Sequence, residues 1–577
     1  MSIISIVVIG GGVSGLVAAI NLKNKLPDKE IILIEKNSVL GGRLYSEDII
    51  INNDKYKIDY GPSWCWMPKI IKKVLKELDI NIKNLKFERL DPQYKIIYYD
   101  KKEFEVPGTL EKIEKLILRQ DINSFNKFTK FMSSNRKKYK LMLDKIFYFR
   151  NLDIYEYIDL SILRNISNFK IFSGYKDYCG GVFSKKILKD MMCWSGLFIG
   201  NRIENLNGIF SILTYSMLKE GTYLLKRGNM EGNKEIKGSQ ESEGMYELIK
   251  ELECKAFELG IKVVKNTEVI YFDLLNNKIK GIQTRTENEF GEFNNKNIQC
   301  DKVVSACDYY YTESLLSKDL RTYREDYWRN LKICPSSLTF HIILKDRLPN
   351  LLYHNLIFNN DFDKYIEKYI NTDKLKIPKK PLFYINIKDY ENEKYKGQTL
   401  FILTPTNPKI ILTDHYIESI YKNIIIFLQE YTDDYLESRK SKSINILNNI
   451  LYKTHFSNKD YKTRYLSFFY NSYGISCENN QFGLLRPKIK SDKVENLYYC
   501  GQMTNPGPGI PPCMISGLNT SNLLVEDLLN DKMKENRNNK YILLYNYFNN
   551  IIDIFESLII MIVNFIIFIL TMEFNFY

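Results

Sequence analysis

The strongest constraint on this chain lies in its first 35 residues. Ile3–Ile9 is an apolar, largely β-branched run of strand length that ends in Gly10-Gly11-Gly12-Val13-Ser14-Gly15. Leu16, Ala18, Ala19, Ile20 and Leu22 follow at helical spacing, and a second apolar run, Ile31–Ile34, stops at Glu35. Strand, glycine turn, helix, strand and terminal acid, in that order, make a dinucleotide-binding unit of Rossmann type. Gly10 permits the tight turn, Gly12 lets the backbone approach a pyrophosphate, and Gly15 lets helix and strand pack closely. Val13 and Ser14 open the helix, whose free N–H groups and positive dipole end suit phosphate. Glu35, followed by Lys36, can accept both hydroxyls of an adenosine ribose. Three glycines in its middle and no basic n-region argue against reading this stretch as a signal peptide.

The chain has 577 residues, several times the ~150 of an average domain, so more than one core is expected. With 45% hydrophobic and 26% charged residues, 29 Gly and 16 Pro, it is neither low-complexity nor disordered in bulk. The net charge of +13 comes without any run of five Lys/Arg, so no nucleic acid partner is expected. An anionic bilayer surface is the better use of that charge. Ten cysteines form no CxxC pair and the four histidines lie at no ligand spacing. Neither a metal site nor a disulfide scaffold is expected.

Two further motifs narrow the cofactor. Gly41-Gly42-Arg43 and Asp59-Tyr60-Gly61-Pro62 follow the acid, where a nicotinamide-binding fold would continue into another helix and strand; Arg43 is available to a phosphate or a flavin dipole. Near the other end, Asn496–Cys500 reads as a strand. It runs into Gly501-Gln502-Met503-Thr504 and Asn505-Pro506-Gly507-Pro508-Gly509-Ile510-Pro511-Pro512, with a helical pattern from Met514 through Leu523, Leu524 and Leu528. Such a loop again presents backbone N–H groups at a helix start. These residues resemble the superfamily of flavin-dependent amine oxidases and phytoene desaturases. Arg486-Pro487 and the Gly-Gln, Thr, Pro-Gly-x-Gly-x-Pro order most resemble its bacterial and fungal phytoene desaturases. Ile209–Tyr223 resembles that group's helix and strand returning to the flavin domain, Gly244–Val269 its helix and strand closing on the adenine, and Asp301–Asp308 its strand beneath the cofactor. The resemblance covers about residues 3–525, more patchily over 75–205 and 340–480. It implies FAD, with Val269 at the adenine and Gly42, Arg43, Gly61, Gly501, Gln502, Gly509, Ile510 and Pro511 as further cofactor contacts.

The fold class so implied is α/β. A discontinuous Rossmann-like FAD-binding domain (1–75, 235–325, 485–530) is expected beside an α+β substrate domain (76–234, 326–484), with a C-terminal apolar helix. Leu163–Phe172 and Met191–Ile199 are candidates to line or cover the cavity, with plain core as the alternative. Glu231–Glu243 is polar without an apolar period and reads as a loop insertion. After a polar hinge, Asn530–Lys540, the chain turns apolar: Ser557–Met572 carries no charge. Its length, about 24 Å of helix, falls short of the ~30 Å hydrocarbon core, so 541–572 is expected to be a membrane-associating tail. The basic hinge would keep the body on the cytoplasmic side.

The resemblance implies desaturation of a long polyisoprenoid, a phytoene-type carotenoid precursor, by hydride transfer to flavin. The partners implied are that hydrophobic isoprenoid, a membrane, and quinone or oxygen as electron acceptor. No side chain is assigned as general base. The same motifs would serve a retinol saturase, a protoporphyrinogen oxidase or an amine oxidase. Gln502, where amine-oxidising relatives carry an acid, weakens the last. The non-catalytic Rab escort and GDP-dissociation-inhibitor proteins share the fold, but their flavin site has decayed, whereas Glu35, Arg43 and the Gly501–Pro512 loop persist here.

Overall fold

A computed structural model describes residues 5–152, 156, 173–198, 203–228, 243–287, 291–359, 362–390, 397–478 and 481–537. Met1–Ser521 forms one compact unit and Asn522–Tyr577 a second, of which the end of the helix Ile510–Arg537 is described. No described helix is long and apolar enough to cross a membrane. The expected tail 541–572, the segment Leu163–Phe172 and the insertion Glu231–Glu243 (Glu243 excepted) lie outside the described residues.

Two sheets organise the first unit, and their sequences differ for a physical reason. In the first, the strands run in the order Leu497–Tyr499, Lys302–Ser305, Ser5–Ile9, Glu30–Ile34, Lys262–Val264, every pair parallel. Ile6–Ile9 and Ile31–Ile34 are buried throughout, as parallel strands covered on both faces must be, which is why they read as unbroken apolar runs. The helix Val13–Lys25 makes the crossover between the first two strands in chain order and buries Ser14 through Leu22.

Three local expectations need correction. Ile261–Val269 is not one strand: Lys262–Val264 joins the parallel sheet, the chain turns at Asn266 (φ +53°), and Thr267–Leu275 enters a separate antiparallel sheet with Lys278–Glu287 and Phe293–Gln299. The helix Ser211–Glu220 leads into Tyr223–Arg227, but that strand pairs with Leu85–Arg89, outside the five-stranded sheet. The last helix begins at Ile510, within the Pro/Gly loop, rather than at Met514.

The second sheet has seven strands in the order Ile450–Phe456, Ser336–Leu344, Gln398–Thr406, Phe383–Asp389, His354–Phe358, Tyr94–Tyr98, Glu103–Val106. All its pairs are antiparallel except that of His354–Phe358 with Tyr94–Tyr98. Alternate residues serve opposite faces. Phe340, Ile342, Ile385, Ile387, Leu400 and Ile402 form one core with Ile417, Ile420, Ile424 and Leu428 of the helix Asp414–Ser438. The intervening residues Leu356, Tyr384, Phe401 and Leu403 line a cavity. The helix covers one face of the sheet and leaves the other to a ligand.

Candidate cofactor and substrate site

One cavity, with about 410 Å³ accessible to the centre of a water molecule, is walled by residues of both sheets. Gly10, Gly12, Val13, Ser14, Glu35, Lys36, Gly42, Arg43, Gly61, Val269, Gly501, Gln502, Gly509, Ile510 and Pro511 all line it. Gly15 does not. A Cβ there would stand 2.0 Å from the Gly10 carbonyl oxygen and 3.0 Å from Ala306 Cβ, so its role is the close packing of helix on strand. Gly12 is the opposite case, since a Cβ added there meets nothing within 4 Å. It caps the helix Val13–Lys25, which has no side-chain cap and no acid in its first turn, so the helix dipole faces the cavity uncompensated.

Glu35 is 5% exposed. Its Oε2 accepts the Gly11 N–H at 2.7 Å, and its Oε1 accepts the backbone N–H of Asn37 at 2.8 Å and that residue's side-chain amide at 2.7 Å. Three donors therefore orient the carboxylate and leave part of its acceptor capacity for a ribose. Lys36 borders the cavity while its ammonium donates to the Thr463 carbonyl at 2.7 Å. The Val269 carbonyl accepts from the Tyr311 hydroxyl at 2.9 Å.

The C-terminal loop is held by Arg486, 2% exposed. Its Nη2 donates to the Gln502 carbonyl at 2.7 Å and its Nε to that of Thr504 at 3.2 Å. The Arg-Pro pair before the strand is thus a clamp on Gly501–Thr504. Arg43 Nη2 donates to Ser467 Oγ at 2.7 Å. With the Gln502 amide turned to face donors, its oxygen accepts from Arg43 Nη2 at 3.2 Å and from the Gly474 N–H at 3.3 Å.

Arg464 and most of the apolar wall had no motif in the sequence, whereas Trp194 and Leu197 fall in the stretch Met191–Ile199 expected to line or cover the cavity. Arg464 borders the cavity and stacks over Tyr45, 3.8 Å from the ring centroid. Beyond Gly61 the wall becomes apolar and aromatic. Trp64, Trp66 and Trp194 meet with ring centroids 5.0–5.4 Å apart, and Leu197, Leu213, Leu356 and Phe358 continue the lining. Trp66 donates to Thr222 Oγ1 at 2.9 Å and Trp194 to the Tyr94 hydroxyl at 2.8 Å, so their polar edges are satisfied within the protein and their faces remain apolar. Trp194 comes from the helix Lys186–Phe198 within the stretch Met191–Ile199. The stretch Met191–Ile199, which supplies Trp194 and Leu197, was one signal of this wall in the sequence, and the spacing Trp64-x-Trp66 directly after the Gly61 motif is another.

The residues fit a dinucleotide. Arg43 Nε and Arg464 Nε are buried at the cavity without a partner, and a buried charged donor calls for an acceptor such as pyrophosphate. An uncapped helix start and open space at Gly12 complete the cradle. Comparison with known proteins agrees. Residues 13–525 match the family described as flavin containing amine oxidoreductase. The chain is 23% identical to a carotenoid 3,4-desaturase of Haloarcula japonica, over 91% of this chain and 98% of that one. It is 22% identical to a zeta-carotene-forming phytoene desaturase of Myxococcus xanthus, over 89% and 92%. A cyclohexylamine oxidase from Brevibacterium oxydans shares the fold, with TM-score 0.50, 9% identity, and 91% and 99% of the two chains covered. The cofactor is FAD, and the chain belongs to the family of flavin-containing amine oxidoreductases.

Proposed function

We propose that this protein is an FAD-dependent desaturase of a long polyisoprenoid, a phytoene-type carotenoid precursor. The observation that carries the reading is the continuity of the site: the phosphate-binding cradle opens directly into a wall of Trp64, Trp66, Trp194, Leu213, Leu356 and Phe358. A polyene gains from such a wall by burial alone, at roughly 25 cal/mol per Å² of apolar surface, and the desaturase names of its relatives agree.

Gly12, Ser14 and the start of their helix, with Arg43 and Arg464, would hold the pyrophosphate. Glu35 would hold the ribose, and the Gly501–Pro511 loop the flavin. When bound, FAD accepts a hydride. The protein's own part is positioning and exclusion of water. Positive charge developing on an allylic carbon held beside these indole faces would gain cation–π attraction of about 1–2 kcal/mol when water is absent. Gln502, held between Arg43 and Gly474, presents an amide and no ionisable group at the cradle's inner end. We assign the flavin domain to the five-stranded sheet with its neighbouring segments 1–75, 235–325 and 485–530, and the substrate domain to the remainder of the first unit. A substrate dissolved in lipid, together with the uncharged stretch Ser557–Met572, supports work at a membrane; quinone or oxygen would then reoxidise the flavin.

The test is anaerobic mixing of the purified, flavin-loaded protein with phytoene in liposomes and, separately, with primary amines. Bleaching of the flavin absorbance by phytoene alone is expected. Bleaching by an amine and not by phytoene overturns the reading.

A further inference from the structure

Removing a hydride from one carbon leaves a proton to be taken from its neighbour, and a hydroxyl chain at the junction of cradle and apolar wall is placed to take it. Ser63 lies two residues beyond Gly61, whose backbone packs against that of Arg43. Ser63 Oγ is 2.6 Å from the Tyr384 hydroxyl, which is in turn 2.6 Å from His354 Nδ1. Ser63 and Tyr384 line the cavity. His354 stands behind them, 0% exposed, its ring stacked on Trp64 at 3.9 Å between centroids.

Sheet register brings these groups together. His354 pairs with Asn386 and Leu356 with Tyr384 across adjacent antiparallel strands, so His354 and Tyr384 are diagonal neighbours on the cavity face. His354 Nε2 has no partner. Burial holds the imidazole neutral, far below its ordinary basicity, so a free base waits in the resting site. A cation adjacent to the C–H bond makes that proton acidic enough for even a weakened imidazole.

We propose that Tyr384 is the proton acceptor of the desaturation, with His354 as the base behind it, a role that rests on the desaturase reading. Bound FAD would accept the hydride, with its electron pair, from the allylic carbon. The C–H bond on the adjacent carbon then breaks, and its electrons form the new double bond. The proton goes to the Tyr384 oxygen as the phenol's own proton passes to His354 Nδ1. The phenol stays neutral and the positive charge ends on the imidazolium. On product release the proton returns through Tyr384 and Ser63 to water entering the cavity.

The direction of this relay requires His354 to carry its resting proton on Nε2. Imidazole ¹⁵N NMR of the full chain reads this without any turnover, and four histidines keep the spectrum simple. An Nε2–H tautomer for His354 is expected, and an Nδ1–H tautomer overturns the proposal. The kinetic arm uses phytoene deuterated separately at the hydride-losing and proton-losing carbons. Tyr384→Phe, retaining its FAD, is expected to form product about 10²–10⁴-fold more slowly, with an isotope effect now visible at the proton-losing carbon. Product formation within threefold of the parent, or slow formation with an isotope effect at the hydride-losing carbon alone, overturns it. If Tyr384→Phe does not retain FAD, His354→Gln, which still accepts the Tyr384 hydrogen bond, is read by the same two criteria. Failure of the unaltered protein to bleach with phytoene would instead strike the desaturase reading itself.

Discussion

The cradle and the apolar wall share one cavity but are built by different means. The cradle is mostly backbone, with glycines, helix starts and a loop clamped by Arg486. Its parts are short motifs whose meaning is local. The wall is side chain, drawn from Trp64, from the helix Lys186–Phe198 and from one face of a sheet whose strands are scattered from Tyr94 to Phe456. A cofactor common to a family calls for the first kind of construction, and a substrate that varies within it for the second. The two meet at Asp59–Ser63, where Lys388 of the seven-stranded sheet pairs with Asp59 at 2.5 Å, both nearly buried.

The sharpest way to separate the roles within the cradle is a pair of glycine variants. Gly15→Val forces a side chain into space already held by the Gly10 carbonyl and Ala306. Loss of soluble folded protein is expected, because the overlap is with backbone that cannot yield. Gly12→Val points into open space, so the protein is expected to keep its thermal midpoint within a few degrees while its flavin content falls at least tenfold. Flavin content unchanged in Gly12→Val would break the assignment of the cradle.

The junction comes next. Lys388→Met leaves Asp59 buried without its cation and is expected to cost about 3–5 kcal/mol by denaturant titration. The double variant Lys388→Met/Asp59→Leu is expected to recover most of that loss. A cost below 1 kcal/mol for the single variant would show that the junction does not depend on the pair.

Arg486→Met should touch the cradle and spare the wall. It removes charge-assisted hydrogen bonds to the Gln502 and Thr504 carbonyls, each worth about 1.5–3 kcal/mol. Faster flavin loss on dialysis is expected, with the tryptophan fluorescence of the flavin-stripped variant matching that of the flavin-stripped parent. Retained flavin with altered fluorescence would reverse the assignment.

The smallest effect is graded with pH and belongs to the seven-stranded sheet, which carries His341 and His354. Burial pulls His341 from 6.5 down to about 3, and His354 is pulled down by the same cause. Below pH 6.5 the unfolded chain binds protons that the folded one refuses, so stability falls as pH falls toward the folded values. Each histidine contributes about 1.4 kcal/mol per pH unit to that slope. His341→Gln should remove about one such share between pH 6 and pH 4, read from denaturant midpoints. An unchanged slope would mean that His341 is not buried neutral.

This division also explains what the sequence disclosed. Gly10–Gly15, Glu35, Arg43 and Gly501–Pro511 were legible because each motif acts within a few residues of itself, and fifteen of the sixteen candidates line the cavity. Gly15, the exception, serves packing. Arg464, Tyr384 and His354 carried no local signal: strand register places Tyr384 and His354 on the sheet face that the helix Asp414–Ser438 leaves open, and Arg464 comes from the helix Asn458–Tyr465, far in sequence from the motifs it joins. The break at Asn266 was missed because Ile261–Val264 and Thr267–Val269 are both strand-like, and only a left-handed residue between them sends the second into another sheet.

The most direct test of the central claim, that one cavity joins an FAD cradle to a polyene site, is a single-turnover count. Flavin-loaded protein is mixed anaerobically with excess phytoene in liposomes, and reduced flavin and new double bonds are measured on the same sample. One flavin reduced for each double bond gained, with Trp194→Ala impairing the reaction while retaining flavin, is the predicted result. Double bonds formed without flavin reduction, or flavin reduced with the polyene unchanged, would contradict it.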